Sequence, residues 1–209
     1  MKSIKKAVWA IFLVLGLVAA SGAFAAADAV IIPSKSAVNP IYQTLYVPDN
    51  TTSPARIRVY TYNGSSWNST ATNITPAGIS TTAKIYGLAV SEDGSSLFVS
   101  INDLRQSRVR IYALTNGAPG TYQDATWARD GSGYLTEGDA SIAGIAVQGD
   151  MLYVADMNLG RVHYFKNTNG TWAHAGDITS GLSVLAPYYD VAVSAPEANG
   201  NYSIFVSRK

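Results

Sequence analysis

LYVADMNLGRVHYF, residues 152–165, reads as two β-strands joined by a tight loop. The run of strand formers from Leu152 to Ala155 stops at Asp156, the turn formers Asn158 and Gly160 follow, and Arg161 opens a second run from Val162 to Phe165. The same sentence is written elsewhere in the chain. TLYVPDNTTSPARIRVYTY occupies 44–62, SLFVSINDLRQSRVRIYAL occupies 96–114, and SIFVSRK occupies 203–209. The run starts Leu45, Leu97, Leu152 and Ile204 lie 52, 55 and 52 residues apart, and Arg56, Arg108 and Arg161 lie 52 and 53 apart. Two independent markers share one period, and a fixed period is the mark of a repeat architecture.

Working outward, a short apolar element precedes each of the last three copies: Tyr86 to Val90, Ala143 to Val147 and Tyr189 to Val193. Polar turns connect it to the next run. Asn63-Gly64, Asn116-Gly117 and Asn169-Gly170 then follow the third run, and Asn-Gly is among the strongest hairpin signals because both residues tolerate positive φ. Aromatic stretches holding Trp67, Tyr122 with Trp127, and Trp172 come next and read as outer strands. The unit is therefore four strands in about 50 residues, with small residues (Gly87, Ala89, Gly144, Ala146, Ala192) in the innermost one, as the crowded centre of a propeller demands. A β-sandwich lacks such a period and a β-helix has a shorter one. The fold expected is all-β: a β-propeller of four-stranded antiparallel blades, about 3.5 of them, with repeats near 28–75, 76–132, 133–180 and a half blade at 181–209. An incomplete ring can be closed by further blades of a longer gene product, the favoured solution, by a second copy, or as a short four-bladed ring. Its open sheet edge also offers self-association.

Residues 152–165 resemble the consensus of NHL and YVTN-type propeller repeats, in which an LYVAD…N.RV.VF run forms the second and third strands. The match is partial at Leu97 to Tyr112 and looser at Leu45 to Tyr60. The resemblance implies the fold; since that superfamily holds lactonases, peptidyl lyases and pure binding modules, it implies no single chemistry.

The first 27 residues are read apart from the propeller. Lys2, Lys5 and Lys6 precede an apolar stretch of 14 residues, Ala7 to Ala20, broken only by Gly16. Small residues then allow cleavage after Ala25 or Ala27, the pattern of a signal peptide. The stretch is shorter than the roughly 20 residues of a membrane span. The sequence thus predicts export, to the periplasm or beyond, with no integral membrane segment after cleavage. Loss of those three lysines leaves 12 basic against 14 acidic residues, a balance without the basic footprint of nucleic-acid binding. With no cysteine in the chain, disulfides, thiolate metal sites and cysteine nucleophiles are excluded.

In a propeller the loops entering the first strand and those joining the second to the third share one face, here called the top. Asp49, Asn50, Asn102, Asp103, Asp156 and Asn158 fall on it, with Tyr86, Tyr189 and Asp190 near the axis. Such carboxylate and amide oxygens suit a hard cation such as Ca²⁺, and the resemblance to lactonase-type propellers implies a ring of this kind polarising a substrate carbonyl. Against this stands a structural role: acid or amide recurs in every copy, as loop caps do, and Arg56, Arg108 and Arg161 recur as within-blade partners would. His163 takes the slot of Arg58 and Arg110 and reads as a variable outward position, His174 as part of an outer strand, and no G-x-S-x-G elbow or zinc-type histidine pair is present. The function expected is an exported, non-catalytic module presenting a rigid face to a protein or glycan, with no cofactor. The alternative is a metal-dependent, lactonase-like hydrolase with a top-face Ca²⁺-type site whose remaining ligands lie in missing blades; the ligand-binding residues expected are Asp49, Asn102, Asp156, Asn158, Tyr86, Tyr189 and Asp190.

Overall fold

The computed structural model describes residues 35–103, 106–127, 135–136, 141–182, 187–196 and 201–208; the leader read at 1–27 lies outside them. Fifteen strands are described, and their order is that of a β-propeller. The first blade is β1 (Ala37–Asn39), β2 (Thr44–Asp49), β3 (Arg56–Tyr62) and β4 (Trp67–Ile74). The second is β5 (Lys84–Val90), β6 (Ser96–Asp103), β7 (Gln106–Thr115) and β8 (Ala118–Asp124), with β9 (Leu135–Thr136) beside the start of β7. The third is β10 (Ile142–Gln148), β11 (Met151–Asp156), β12 (Val162–Thr168) and β13 (Thr171–Ile178); β14 (Tyr188–Val193) and β15 (Ile204–Arg208) pair as the inner half of a fourth. No described helix is long and apolar enough to cross a membrane.

The repeat holds at the level of register. Leu45, Leu97, Leu152 and Ile204 each lie opposite a valine of the innermost strand: Val38, Val90, Val147 and Val193. On their other side the first three face an aromatic of the third strand, Tyr60, Tyr112 and Phe165. Arg58, Arg110 and His163 likewise sit across from Val47, Val99 and Val154. A one-residue slip would turn every one of these side chains to the opposite face, so four matching registers are a strong statement of equivalence.

The apolar core lies in the seams between blades. Tyr46, Ile57, Ile85, Leu88, Leu97 and Val99 fill the first seam; Phe98, Val109, Trp127, Leu152, Phe165 and Trp172 the second; Tyr153, Val162, Tyr188 and Val191 the third. Leu97 and Leu152 are fully buried, which contributes about 1.5–3 kcal/mol apiece. Trp172 does what an outer-strand aromatic does in a packed propeller: its ring meets Phe98 of the second blade edge-on at 5.0 Å.

Two details differ from the sequence reading. The first blade has an innermost strand too, three residues long, and its buried Asn39 fixes it by donating to Gly94 O at 2.9 Å and accepting from the amides of Ile41 and Tyr42. Of the three Asn-Gly hairpins, only two take positive φ at both residues, Asn116-Gly117 and Asn169-Gly170. At Asn63-Gly64 the asparagine side chain instead accepts from the amides of Ser65 and Ser66, forming a wider, side-chain-closed turn.

Candidate functional site

The innermost strands β5, β10 and β14 each carry a β-bulge near the top end. The register shifts between Ile85 and Gly87, between Ile142 and Ile145, and between Tyr188 and Asp190. A bulge inserts one residue and re-aims a side chain, and the residues concerned, Tyr86, Ala143 with Gly144, and Tyr189, fall at matching points of the repeat. Tyr86 and Tyr189 are thereby brought into mutual electrostatic reach; the Tyr86 hydroxyl bonds to Asn102, and burial, reinforced by Tyr189, raises its pKa and keeps it a proton donor.

One position further on, Gly87, Gly144 and Asp190 form a second series. A Cβ on Gly87 would lie 2.9 Å from Ala143 O, and one on Gly144 2.5 Å from Asp190 Cα. The innermost strands therefore approach too closely for any side chain at the first two places. At the third, Asp190 faces the ammonium group of Lys35, 3.4 Å away. That lysine ties three blades together. Its backbone bonds to Tyr86 O and Leu88 N, and its Nζ donates to Ile145 O at 3.2 Å and Val191 O at 2.9 Å. Tyr86, Asn102, Tyr189 and Asp190, four of the residues singled out from sequence, thus gather around the axis with Lys35, which sequence reasoning missed because it precedes the recognisable repeat.

The remaining three do not join them. Asp49 accepts from Arg56 Nε at 3.0 Å, Arg58 Nε at 2.7 Å and the amide of Thr51 at 3.1 Å. Burial opposes its charge, but Thr51 and the two arginines outweigh that and hold the carboxyl well below the usual range. Asp156, wholly buried, caps its loop: Oδ1 accepts from the amides of Asn158 at 2.7 Å and Leu159 at 3.0 Å. Asn158 itself is an exposed residue of that loop. The recurrent arginines are within-blade partners as well, Arg110 meeting Asp124 at 2.7 Å and Arg161 meeting Asp177 at 2.5 Å.

The histidines correct the sequence reading. His163 is buried rather than outward, with Nδ1 2.6 Å from Asp177 Oδ1 and Nε2 3.1 Å from Asp156 Oδ2. Burial disfavours the imidazolium, yet the two carboxylates prevail and raise its pKa. His174 Nε2 lies 2.9 Å from the same Asp177 oxygen. Residues 174 and 177 of a regular strand would face opposite ways. Ala175 is an extra residue, bulged between the pairs Tyr164–Gly176 and Phe165–His174, and this puts both side chains on the face of His163. His163, His174 and Asp177 bring ligand-type atoms within 4.8 Å of one another.

No family model and no curated protein matches the chain. Solved structures do. A putative 6-phosphogluconolactonase from Bacteroides uniformis superposes with a TM-score of 0.50 at 15% identity, over 85% of this chain and 64% of that one. A chain of a mitotic checkpoint complex gives 0.47 at 12% identity, over 84% and 48%. The periplasmic gluconolactonase of Pseudomonas aeruginosa gives 0.44 at 14%, over 84% and 65%. The chain spans less than two thirds of the length of each. The expectation of a non-catalytic binding module is corrected here, because the same frame is found in a putative lactonase, an enzyme. What the likeness shows of this chain is its architecture, a β-propeller.

Proposed function

We propose that the chain is the substrate-binding part of a lactonase-like hydrolase acting on a sugar lactone, with the finer kinship to NHL and YVTN-type repeats, and the export read from residues 1–27, belonging to the same reading. The observation that carries it is the meeting of Lys35 and Asp190, cation and carboxylate 3.4 Å apart and both partly exposed, beside two tyrosines and an asparagine. Calcium needs six to eight oxygens. The described oxygens that converge at the axis, from Ile145, Val191 and Asp190, hold the lysine ammonium instead, so the roles are assigned to the chain's own groups and no step to a metal.

Two of the three Nζ protons are committed to carbonyls. The third is left for Asp190, whose Oδ1 at 3.4 Å is long for a hydrogen bond, and a lactone carbonyl oxygen reaching the partly exposed ammonium would accept it. Asp190 then takes a proton from the attacking water, the carbonyl carbon gains the hydroxyl, the ring C–O bond breaks, and the same proton passes to the departing ring oxygen, giving the open sugar acid. Tyr86, Asn102 and Tyr189 supply donors and acceptors for sugar hydroxyls.

Acid release from glucono-δ-lactone and from its 6-phosphate, followed in a pH-stat and corrected for spontaneous opening, tests the reading. Removal of one oxyanion donor typically costs about 10²–10³ in kcat, so Lys35→Met is expected to lose about 100-fold while Lys35→Arg retains part of the rate. A wild-type rate no faster than the buffer with both lactones, or an unchanged rate in a folded Lys35→Met protein, removes the proposal.

A further inference from the structure

We propose that His163 Nδ1, His174 Nε2 and Asp177 Oδ1 form a binding site for a divalent transition-metal ion of the zinc class, at the seam between the second and third blades. The site is separate from the axial group and does not depend on the lactonase reading.

Geometry comes first. The Nδ1–Oδ1 and Nε2–Oδ1 separations are 2.6 and 2.9 Å. A tetrahedral ion with bonds of about 2.0–2.1 Å spreads its ligands to roughly 3.3 Å, so binding requires the two separations to open by about 0.7 and 0.4 Å. Two imidazole nitrogens and one carboxylate oxygen are a donor set for zinc, cobalt, nickel or iron rather than for calcium or magnesium.

The surroundings supply an independent reason. A metal-binding histidine is normally oriented by a carboxylate on its other nitrogen, and His163 has that partner: Nε2 lies 3.1 Å from Asp156 Oδ2. With a proton kept on Nε2 by Asp156, an incoming ion displaces to solvent the proton that Nδ1 shares with Asp177 and takes the Nδ1 lone pair. Asp156 is rigid, being wholly buried and bonded to two loop amides. The second oxygen of Asp177 is held by Arg161 Nη1 at 2.5 Å, which leaves Oδ1 for the metal. Trp127, 1% exposed, covers the inner side with its ring 5.0 Å from that of His163 and 5.3 Å from that of His174.

The sister blades show what a purely structural version looks like. At the matching pair of positions the second blade has Arg110 opposite Asp124, and the first has Arg58 opposite Asn73. An arginine bonded to an acid satisfies the blade without any metal ligand. Only in the third blade, among the described residues, is the arginine replaced by an imidazole and a second imidazole added. His174 and Asp177 keep 16% and 25% of their side chains exposed, so a fourth ligand, water or substrate, has access; three protein ligands with an open position is the arrangement of a reactive site.

The untagged protein, stripped with EDTA and dialysed, is titrated with ZnCl₂ by calorimetry and with CoCl₂ by visible absorption. One ion per chain is expected, with the intense bands of tetrahedral cobalt. His174→Ala should abolish stoichiometric binding, and Asp156→Asn should weaken it about 10–100-fold through His163. His174→Gln, able to keep a hydrogen bond to Asp177, separates loss of a ligand from loss of fold. Absence of stoichiometric zinc in the wild type, or undiminished binding in both His174 variants, overturns the proposal, whatever the outcome of the lactone assay.

Discussion

Asp156→Ala is expected to destabilise the protein by about 3–5 kcal/mol, the range found when one partner of a buried ion pair is removed. The side chain has no exposed surface. Its loss takes this acceptor from the amides of Asn158 and Leu159 and from Nε2 of His163, and leaves Arg161, 3.6 Å away, with Asp177 but without its second carboxylate. The amides would meet water at the loop, but His163 is itself buried and keeps a single carboxylate, Asp177. For a chain of this size the midpoint of thermal unfolding should fall by roughly 10 °C. Asp156→Asn retains an oxygen for the two amides and should lose less than half as much. A midpoint within 2 °C of wild type for the alanine variant, an interval equivalent to less than about 1 kcal/mol, would show that the loop is closed by something other than this carboxylate.

Gly144→Ala should rank next, at about 3 kcal/mol, the upper end of the cost of forced overpacking. The added methyl would lie 2.1 Å from Asp190 Oδ1 and 2.5 Å from its Cα. A flexible side chain can rotate out of such a contact; a strand backbone cannot, so β14 must shift as a unit and carry Asp190 away from Lys35. Gly149→Ala is the instructive control. Its turn has open space around it but φ of +56°, so its cost is conformational and about 1 kcal/mol. Urea midpoints of the two variants distinguish the effects, and a Gly144→Ala protein as stable as Gly149→Ala would mean that β10 and β14 do not approach this closely.

The fold could be read from the chain because its markers are periodic and local. Leu45, Leu97, Leu152 and Ile204 announce equal strands, and Gly87 and Gly144 announce a crowded centre whatever surrounds them. The sites were harder for reasons of geometry. Acidic residues at equal places in a repeat look like a ring, but Asp49 and Asp156 are turned into their own blades by arginine or histidine partners a few residues away. His174 and Asp177 are three apart, a spacing that separates side chains on a regular strand; only the bulge at Ala175 unites them, and Ala175-Gly176 carries no clear advance sign of it. Lys35 gave no signal because its partners, Ile145, Val191 and Asp190, are brought near only where the innermost strands converge. The tyrosines at 86 and 189 were legible as neighbours of the axis, though not that bulges aim them.

The lysine at the head of the first blade has a consequence for the order of assembly. Its bond to Val191 joins residues 156 positions apart, whereas the hairpins within each blade close over short loops. Contacts of such separation carry the largest loop-closure penalty and form late. During synthesis, Lys35 leaves the ribosome long before its acceptors exist, so the early blades must reach their sheets with that ammonium still in water. The axial tie then acts as a latch on the finished arrangement: it adds little to the rate of acquiring structure and acts mainly on the rate of losing it. Lys35→Met should accordingly speed unfolding in a denaturant jump while leaving the refolding limb nearly unchanged.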